Sequence, residues 1–537
     1  MSMRRSRCCL LIVYFVVGLV TAILCMVLFR PNSAITLNRF SSSLFATLSS
    51  HSMAAAKQPV IVVGSGLAGL SATHQALRAG AAVHLLDRAP KPGGNSIKAS
   101  SGINGAGTRF QRALGIASDE SFLADTVRSA GHKFQEGPAG IDRKALVELL
   151  TSRSEGAVNW LADDLGVDLS VVAQLGGHSV ARTHRGGGNL PPGAAIVSTL
   201  LEKLKASSDF TLESSAEVTE LLVSGSGSDG AVKGVRYRTA DEQFHDLEGP
   251  VVFAAGGFGG DPHGLLSKHR PDLTGIPSTN EERPAPHGLL SAIGAEFVDM
   301  DSVQVHPTGF VDPKDPFAPY KFLAAEALRG EGGILLSGQT GERFIDELKT
   351  RDVVSGAITA LPRATAPESS PAAQQWDVTL LLDPGACEAA ASHIGFYLWK
   401  GLVEKKKVRD LPPAVIASVD QYASIVASGG GDPLGRTAFG HWRLPSGEAN
   451  REEEVCVGTV TPVVHFTMGG VAFDTQARVL RPAEGNALAP VPGLWAAGEI
   501  TGGIHGANRL GGSSLLECAV FGRIAGAEAA ESLTKSV

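Results

Sequence analysis

The stretch PVIVVGSGLAGLSATHQALRAGAAVHLLDR (residues 59–88) determines the fold class of this chain. Its β-branched run 60–63 predicts a buried strand, the residues up to about 79 predict a helix, and the apolar run 82–86 predicts a second strand. Two strands joined through a helix pair in parallel within one sheet. The sequence therefore predicts an α/β fold with a Rossmann-like domain.

A glycine pattern, GxGxxG, lies between the first predicted strand and the helix, and an acid ends the second strand. The first glycine permits a tight turn, the second lets a pyrophosphate approach the backbone, and the third lets helix and strand pack closely. The acid, about 20 residues further on, accepts a hydrogen bond from a ribose hydroxyl. This setting predicts a dinucleotide site, with NAD and FAD both open at this point. Its candidate residues are Gly64, Gly66, Ala68, Gly69, Asp87 and Arg88.

The composition describes an ordinary folded chain that is long enough for two or more domains. Of its 537 residues, 43% are hydrophobic and 19% are charged. A net charge of −7, without a basic stripe, gives no attraction to nucleic acid. The six cysteines form neither a disulfide framework nor a haem-attachment motif, so we expect no c-type haem and no metal site.

Residues 8–29 (CCLLIVYFVVGLVTAILCMVLF) carry no charge. As a helix they would span about 33 Å, which is enough to cross the hydrocarbon core of a membrane. The arginines among residues 4–7 favour a cytoplasmic N-terminus with the main body across the membrane. Because the run is longer than a usual signal-peptide core, it favours a retained anchor within a targeting segment, 1–58.

A mitochondrial presequence is the competing interpretation of this segment. No Asp or Glu occurs before Asp87, and residues 30–52 are rich in Ser with scattered Arg. Initiation at Met53 would give a soluble form without the apolar run. The sequence therefore leaves open a membrane-anchored protein of the endoplasmic reticulum or the mitochondrion, and a soluble form beside it.

A second glycine-rich stretch, KPGGNSIKASSGINGAG (91–107), suits close backbone approach along an extended cofactor. Its pattern GGNS…SSGING resembles the flavin-binding segment of the fumarate reductase/succinate dehydrogenase flavoproteins, and this resemblance favours FAD. In relatives with covalent FAD, a histidine of this segment bonds the flavin. That position here is Ser96, which implies noncovalent FAD. The candidates added by this resemblance are Gly94, Asn95, Ser96, Ser101, Gly102 and Val218.

Five further motifs match the same family in order and spacing, so the resemblance covers about residue 59 to the C-terminus. It is greatest to the soluble, single-subunit eukaryotic fumarate reductases. The motifs are VQVHPTGF (303–310), FLAAEALRGEGGI (322–334), ERFIDELKTRDVVSGAI (342–358), VVHFTMGGV (463–471) and HGANRLGG (505–512).

Fumarate is a small dianion, so its site needs fixed cationic and hydrogen-bonding groups. Its reduction needs a hydride from the flavin and a proton from the protein. A guanidinium is a weak acid, so it can give up a proton only as the substrate carbanion forms and if a carboxylate replaces that proton at once. The resemblance implies these roles: His465 and Arg509 hold one carboxylate, His306 helps hold the other, Arg351 donates the proton, and Glu326 with Arg329 resupplies it.

Taken singly, these residues have plainer interpretations. His306 is compatible with a loop histidine, and Glu326 with Arg329 is compatible with a surface ion pair. Some bacterial relatives have a threonine before the relay glutamate, whereas this chain has Ala325. One substrate hydrogen bond must then come from a neighbouring backbone N–H or from His306. His505 is expected to have only a structural role.

The C-terminal motifs return to the cofactor. GLWAAGEITGG (493–503) predicts a strand that ends before Glu499, which the resemblance assigns to the ribityl chain. A helix predicted from near residue 513 would point its N-terminus at the isoalloxazine. No carboxylate lies near Arg509 within 502–514, so its partner is expected to be the substrate. The candidates here are Glu499, Arg509, Ser514 and Leu515.

The predicted organisation is an FAD-binding domain interrupted by an inserted, mobile α+β capping domain. Its parts are 59–302 and 458–533 for the FAD domain and 303–457 for the cap. The predicted activity is reduction of fumarate to succinate, with an aspartate oxidase or a membrane-tethered electron-transfer subunit as alternatives. Because no second GxGxxG marks an NAD(P)H site, the electron donor is either reduced free flavin or a separate reductase.

Overall fold

The structure is a computed structural model that describes residues 58–136, 140–188, 190–225 and 230–535. The apolar run 8–29 and Met53 lie outside the described residues. Within these ranges, no helix is both long and apolar enough to span a bilayer.

The main sheet has six strands and confirms the predicted βαβ unit. Every neighbouring pair is parallel, except the first two strands of the order, which are antiparallel. Strands buried on both faces are typical of parallel sheets, and this explains the nearly continuous apolar runs in their sequences. The strand order is Arg478–Pro482, Leu488–Ala496, Val251–Phe253, Val60–Val63, Val83–Asp87 and Phe210–Ser214.

Two helices, Leu67–Arg78 and Ser513–Lys535, pack closely against each other beside this sheet. A Cβ atom added at Gly522 would lie 2.5 Å from Ala68 O, and one added at Gly526 would lie 2.1 Å from Ala72 O. Only glycine permits this approach. The C-terminal helix, predicted to begin near residue 513, is therefore fixed against the first helix of the nucleotide-binding unit.

Smaller elements complete the first part of the chain. Glu217–Val223, Val232–Arg238 and Phe244–Glu248 form an antiparallel sheet. Ile103–Asn104, Thr183–Arg185 and Val171–Ala173 form another sheet. The remaining α-helices here are Arg109–Ala113, Ser121–Ala130, Arg143–Ser152, Ser154–Asn159, Pro192–Lys205, Leu265–His269 and His287–Ala292.

A second six-stranded sheet is formed by the segment predicted as the cap. Its central strand, Glu454–Thr467, runs across the predicted boundary at residue 457. The strand order is Phe322–Leu323, Val303–Phe310, Glu454–Thr467, Val378–Leu382 and Ile334–Ser337, and Glu404–Lys407 also pairs with the central strand. The helices of this segment are Ala327–Gly330, Arg351–Thr359, Pro384–Ala389, Ala391–Lys400 and Pro413–Ser428.

Candidate active site

A cavity of about 850 Å³ lies between the carboxyl ends of the parallel strands and the second sheet with its helices. Ligands of open α/β sheets bind outside the carboxyl ends of the strands, so this is where the fold itself predicts a site. All the predicted cofactor residues line the cavity except Gly69. Gly69 instead packs against the turn, because a Cβ there would lie 1.9 Å from Gly64 O.

The glycine turn leaves an open groove for a cofactor. Gly64 has φ +102°, and a Cβ on it would lie 2.4 Å from Ala254 O. Gly66 is different, because the nearest atom to a Cβ there is Ser96 Oγ at 3.5 Å. Space beside Gly66 at a helix N-terminus is what a pyrophosphate requires. Ser96 Oγ accepts the Leu67 N–H at 3.0 Å, so this side chain supports the turn.

The Asp87 carboxylate is fixed by the protein and lines the cavity. It accepts hydrogen bonds from Ser65 N and Ala89 N, both at 2.7 Å, and from the Ser65 hydroxyl. A carboxylate has about four lone-pair sites, so it retains capacity for a ribose hydroxyl.

Glu499 is half-buried, and it lines the cavity. It accepts hydrogen bonds from Thr467 N at 3.0 Å and Thr467 Oγ1 at 3.1 Å. Burial raises the pKa of Glu499 to about 7, although the two bonds from Thr467 oppose this shift. Together with the open space at Gly66, this carboxyl on the cavity wall makes the groove fit FAD.

The polar end of the cavity brings Arg351 and Arg509 together, although they are far apart in sequence. Arg351 Nη1 donates to Gln304 Oε1 at 2.7 Å, and Arg509 Nη2 donates to the same oxygen at 2.9 Å. All three side chains are buried. Sequence reasoning missed Gln304, although it lies two residues before His306 on one strand, a spacing that places strand residues on the same face.

Glu326 joins Arg351 to Arg329. Arg351 Nε donates to Glu326 Oε2 at 2.7 Å, and Arg351 Nη2 contacts the same oxygen. Gly176 N donates to Glu326 Oε1 at 3.0 Å, and Arg329 Nη2 lies 3.8 Å from that oxygen. Glu326 and Arg329 are both buried, so the surface ion pair is excluded.

Two opposing effects set the protonation of Glu326. Burial alone would raise its pKa, but the charges of Arg351 and Arg329 overcome burial and lower the pKa to about 2. Burial lowers the pKa of Arg329, and its Nε and Nη2 have no hydrogen-bond partner among the described residues. Glu326 is therefore ionised at neutral pH between two guanidiniums.

His306 and His465 lie side by side with ring centroids 5.3 Å apart. His465 Nδ1 is 3.1 Å from Thr279 Oγ1, and His306 Nδ1 is 3.2 Å from Thr308 N. Burial, followed by the charge of Arg351, lowers both pKa values well below the usual range, so both rings are neutral. His306 Nε2 is buried without a partner in the described part of the chain, which excludes a loop histidine satisfied by backbone at both nitrogens.

One helix that sequence reasoning did not connect with the site, Ala391–Lys400, also lines the cavity, through His393, Phe396 and Tyr397. Tyr397 Oη accepts the Ala325 N–H at 3.1 Å and donates to Leu323 O at 2.9 Å. The Ala325 N–H is therefore already occupied and cannot supply the hydrogen bond of the missing threonine.

The fold and the site define a flavoprotein in which an FAD groove ends at a cluster of buried arginines. A family model for the FAD binding domain matches residues 59–515, and the chain belongs to this family. FAD is therefore its cofactor.

Curated relatives and solved structures agree with this assignment. The chain is 42% identical to Fumarate reductase 1 of Saccharomyces cerevisiae, over 87% of this chain and 97% of that protein. It is also 42% identical to a fumarate reductase of Schizosaccharomyces pombe, over 92% and 94% of the two chains. The open conformation of a flavocytochrome c3 fumarate reductase superposes with a TM-score of 0.66 at 29% identity, over 94% of this chain and 83% of that chain.

Proposed function

We propose that this protein reduces fumarate to succinate with noncovalently bound FAD. The observation that carries the proposal is the convergence of Arg351 and Arg509 on one neutral oxygen at the end of the FAD groove. Arg351 is paired with Glu326, but Arg509 has no carboxylate within 4 Å in the described part of the chain. A buried guanidinium without a counter-charge is costly unless an anion completes the site. The 42% identity to two fumarate reductases supports fumarate as that anion.

The groove residues hold the cofactor through backbone and carboxyl groups. Gly66 leaves room for the pyrophosphate, Asp87 and Glu499 offer carboxyl oxygens to hydroxyl groups, and the two helix N-termini favour negative charge. Reduced FAD, when bound, supplies the hydride. The serine at position 96 has no imidazole to bond the flavin, and this supports a noncovalent cofactor.

Two kinds of side chain are proposed to bind the substrate. Arg351 and Arg509 provide positive charge, and the neutral rings of His306 and His465 provide hydrogen bonds without adding charge. Guanidiniums suit carboxylates because their N–H groups form charge-assisted, often bidentate hydrogen bonds. The same donors stabilise the charge that builds on a carboxylate during reduction.

Arg351 is the proposed proton donor. Its Nε and Nη2 both contact Glu326 Oε2, so a proton lost from the guanidinium is replaced across an existing hydrogen bond. Because its pKa is lowered to about 2, Glu326 is protonated only briefly and passes the proton on to Arg351. Arg329 lies on its far side and is the proposed next donor. The burial of all three side chains excludes bulk water from this route.

Reduced free flavin is the proposed electron donor. The lining of the cavity includes the aromatic side chains of Tyr320, Phe322 and Phe396. Trp399, which is 76% exposed, lies beside Phe396. Aromatic faces that reach solvent suit stacking with a planar ring. Lys400 lies over Phe322 and Trp399 and would attract a flavin phosphate.

The N-terminal segment is proposed to determine where in the cell the protein is located. The uncharged run 8–29 would anchor the protein in the membrane of the endoplasmic reticulum or mitochondrion, and initiation at Met53 would give a soluble form. Detection of products starting at Met1 and Met53 in separate membrane and soluble fractions would support this. One product in every fraction would contradict it.

The function is tested by anaerobic assay of the purified full chain and of residues 53–537. We expect a flavin spectrum, and fumarate should reoxidise the reduced enzyme. Reduced free flavin should sustain turnover without another protein. L-Aspartate and succinate serve as comparison substrates. Oxidation of L-aspartate without reaction with fumarate would contradict the proposal in favour of an aspartate oxidase.

A further inference from the structure

The guanidinium of Arg509 packs against an aromatic ring that also lines the cavity. Its guanidinium carbon lies 4.4 Å from the centroid of Phe466. Its other contacts are the bond from Nη2 to Gln304 Oε1 and one from Nη1 to Leu510 O at 3.2 Å, while Nε has no partner among the described residues. A cation over a ring face is attracted by the ring, more strongly where water is excluded. The position of Phe466 therefore helps to set the position of the cation.

Phe466 in turn rests on His505, with ring centroids 6.0 Å apart and an interplanar angle of 73°. His505 Nε2 lies 2.5 Å from Glu517 Oε2, and both residues are buried. Glu517 belongs to the helix Ser513–Lys535, which is fixed against the nucleotide-binding unit. The order of contacts is thus carboxylate, imidazole, phenyl ring and guanidinium.

The same carboxylate supplies negative charge to Arg509. Burial and the charge of Arg351 lower the pKa of Arg509, to about 9, and Glu517 is the strongest of the carboxylates that oppose this shift. Glu326 and Glu499 oppose it more weakly. Without such charges a buried guanidinium would lose its proton more readily as the pH rises.

We infer that His505 and Glu517 are a positioning pair, which holds Phe466 against Arg509 and keeps Arg509 in the charged form that binds a dicarboxylate. This inference rests on the proposed function for the identity of that anion. It gives a role to His505, for which the sequence predicted only a structural one. Neither residue lines the cavity, so both act through others.

The charged and titratable groups that face Arg509 come from several elements. Arg351 lies on the helix Arg351–Thr359, His465 on the strand Glu454–Thr467, and Glu499 after the strand Leu488–Ala496. Glu326 precedes the short helix Ala327–Gly330. Glu326 is ionised and His465 neutral across the range tested below, so neither moves the alkaline limit of binding. Burial raises the pKa of Glu499 to about 7, so comparisons are made above pH 7.5.

The test compares Glu517→Gln with a matched control, Glu213→Gln, in the full chain with FAD bound. Glu213 also pairs with a histidine, since Glu213 Oε2 lies 3.1 Å from His84 Nε2, but this pair is outside the cavity. Malonate is the probe, and calorimetry gives its Kd between pH 7.5 and 9.5. In the wild type and the control, Kd should rise as the pH passes about 9.

In Glu517→Gln, the pH at which binding is lost should fall by about one unit, so that malonate binds roughly fivefold more weakly at pH 9 than it binds to the wild type. An unchanged pH midpoint would overturn the inference, as would a loss of affinity equal at every pH. A pair with a merely structural role would change the melting temperature without moving the midpoint.

If Glu517→Gln does not retain FAD, two other variants test the inference in its place. His505→Gln keeps a donor for Glu517 and should retain the wild-type midpoint, whereas Phe466→Leu keeps every charge and should weaken malonate binding roughly tenfold at pH 7.5. Malonate binding equal to the wild type in Phe466→Leu would overturn the inference. Fumarate turnover of the wild type is measured separately, so failure of the proposed function is distinguished from failure of the pair.

Discussion

Replacement of Arg351 by glutamine should lower both stability and turnover, each for its own reason. The guanidinium makes two contacts with Glu326 Oε2 and one with Gln304 Oε1. Without it, the buried Glu326 carboxylate keeps, among the described residues, only the Gly176 N–H at 3.0 Å and Arg329 at 3.8 Å. Breaking a buried ion pair by removing one partner costs about 3–5 kcal/mol.

The size of the expected change in melting temperature follows from the size of the protein. Unfolding entropy of about 2.1 cal/mol/K per residue gives about 1 °C per kcal/mol for the described part of the chain, which has roughly 470 residues. Arg351→Gln should therefore melt about 3–5 °C lower. Loss of a positioned proton donor should lower kcat by about 10²–10⁴-fold.

A double variant, Arg351→Gln with Glu326→Gln, gives the decisive comparison. It removes both charges, so the buried unpaired carboxylate is gone and most of the lost melting temperature should return. Turnover should not return, because neither the proton donor nor the carboxylate that resupplies it is present. The assay is anaerobic reduction of fumarate by reduced flavin, with calorimetric melting on the same samples. Recovery of turnover in the double variant, or near wild-type kcat in Arg351→Gln, would refute the proton-donor role.

Three further outcomes are expected. Gly69→Ala should fail to fold or melt much lower, because its Cβ would lie 1.9 Å from Gly64 O. Gly66→Ala should fold but lose FAD, so it should melt like the FAD-free wild type. Flavin content and melting measured on the same samples check this, and normal FAD content in Gly66→Ala would contradict it. Acid precipitation should release all of the FAD into the supernatant, because position 96 is serine; yellow colour left in the pellet would disprove noncovalent binding. Glu326→Gln should have low kcat at every pH from 6 to 9, because the pKa of Glu326, lowered to about 2, keeps it ionised throughout in the wild type; a variant whose kcat recovers at one end of this range would argue against this role of Glu326.

Local patterns were sufficient to predict the nucleotide-binding part of the fold. The strand predicted at 60–63 is observed as Val60–Val63, and the helix predicted to about 79 is Leu67–Arg78. These elements follow from apolar periodicity and from a glycine turn that few other sequences can adopt. The C-terminal helix was also predicted to within one residue of its start, Ser513.

Contacts between distant segments could not be predicted in the same way. Gly176 donates to Glu326 from 150 positions away, and no periodicity connects the two. Tyr397 reaches Ala325 because a helix without a motif packs against the second sheet. Gln304 is an intermediate case, since its position two residues before His306 on a strand indicates a shared face, but not that two arginines meet there.

The strands Val303–Phe310 and Glu454–Thr467, near the two ends of the segment predicted as the cap, are neighbours, with Val303 opposite Thr467 in an antiparallel ladder. The chain therefore enters and leaves this segment at neighbouring positions. Chimaeras joined at this ladder would exchange Glu326, Arg329 and Arg351 as one unit while Arg509 stayed with its host. Exchange of this segment, by evolution or by design, can thus change the residues that meet the substrate while the flavin-binding part stays the same. The two junctions needed for such an exchange lie side by side.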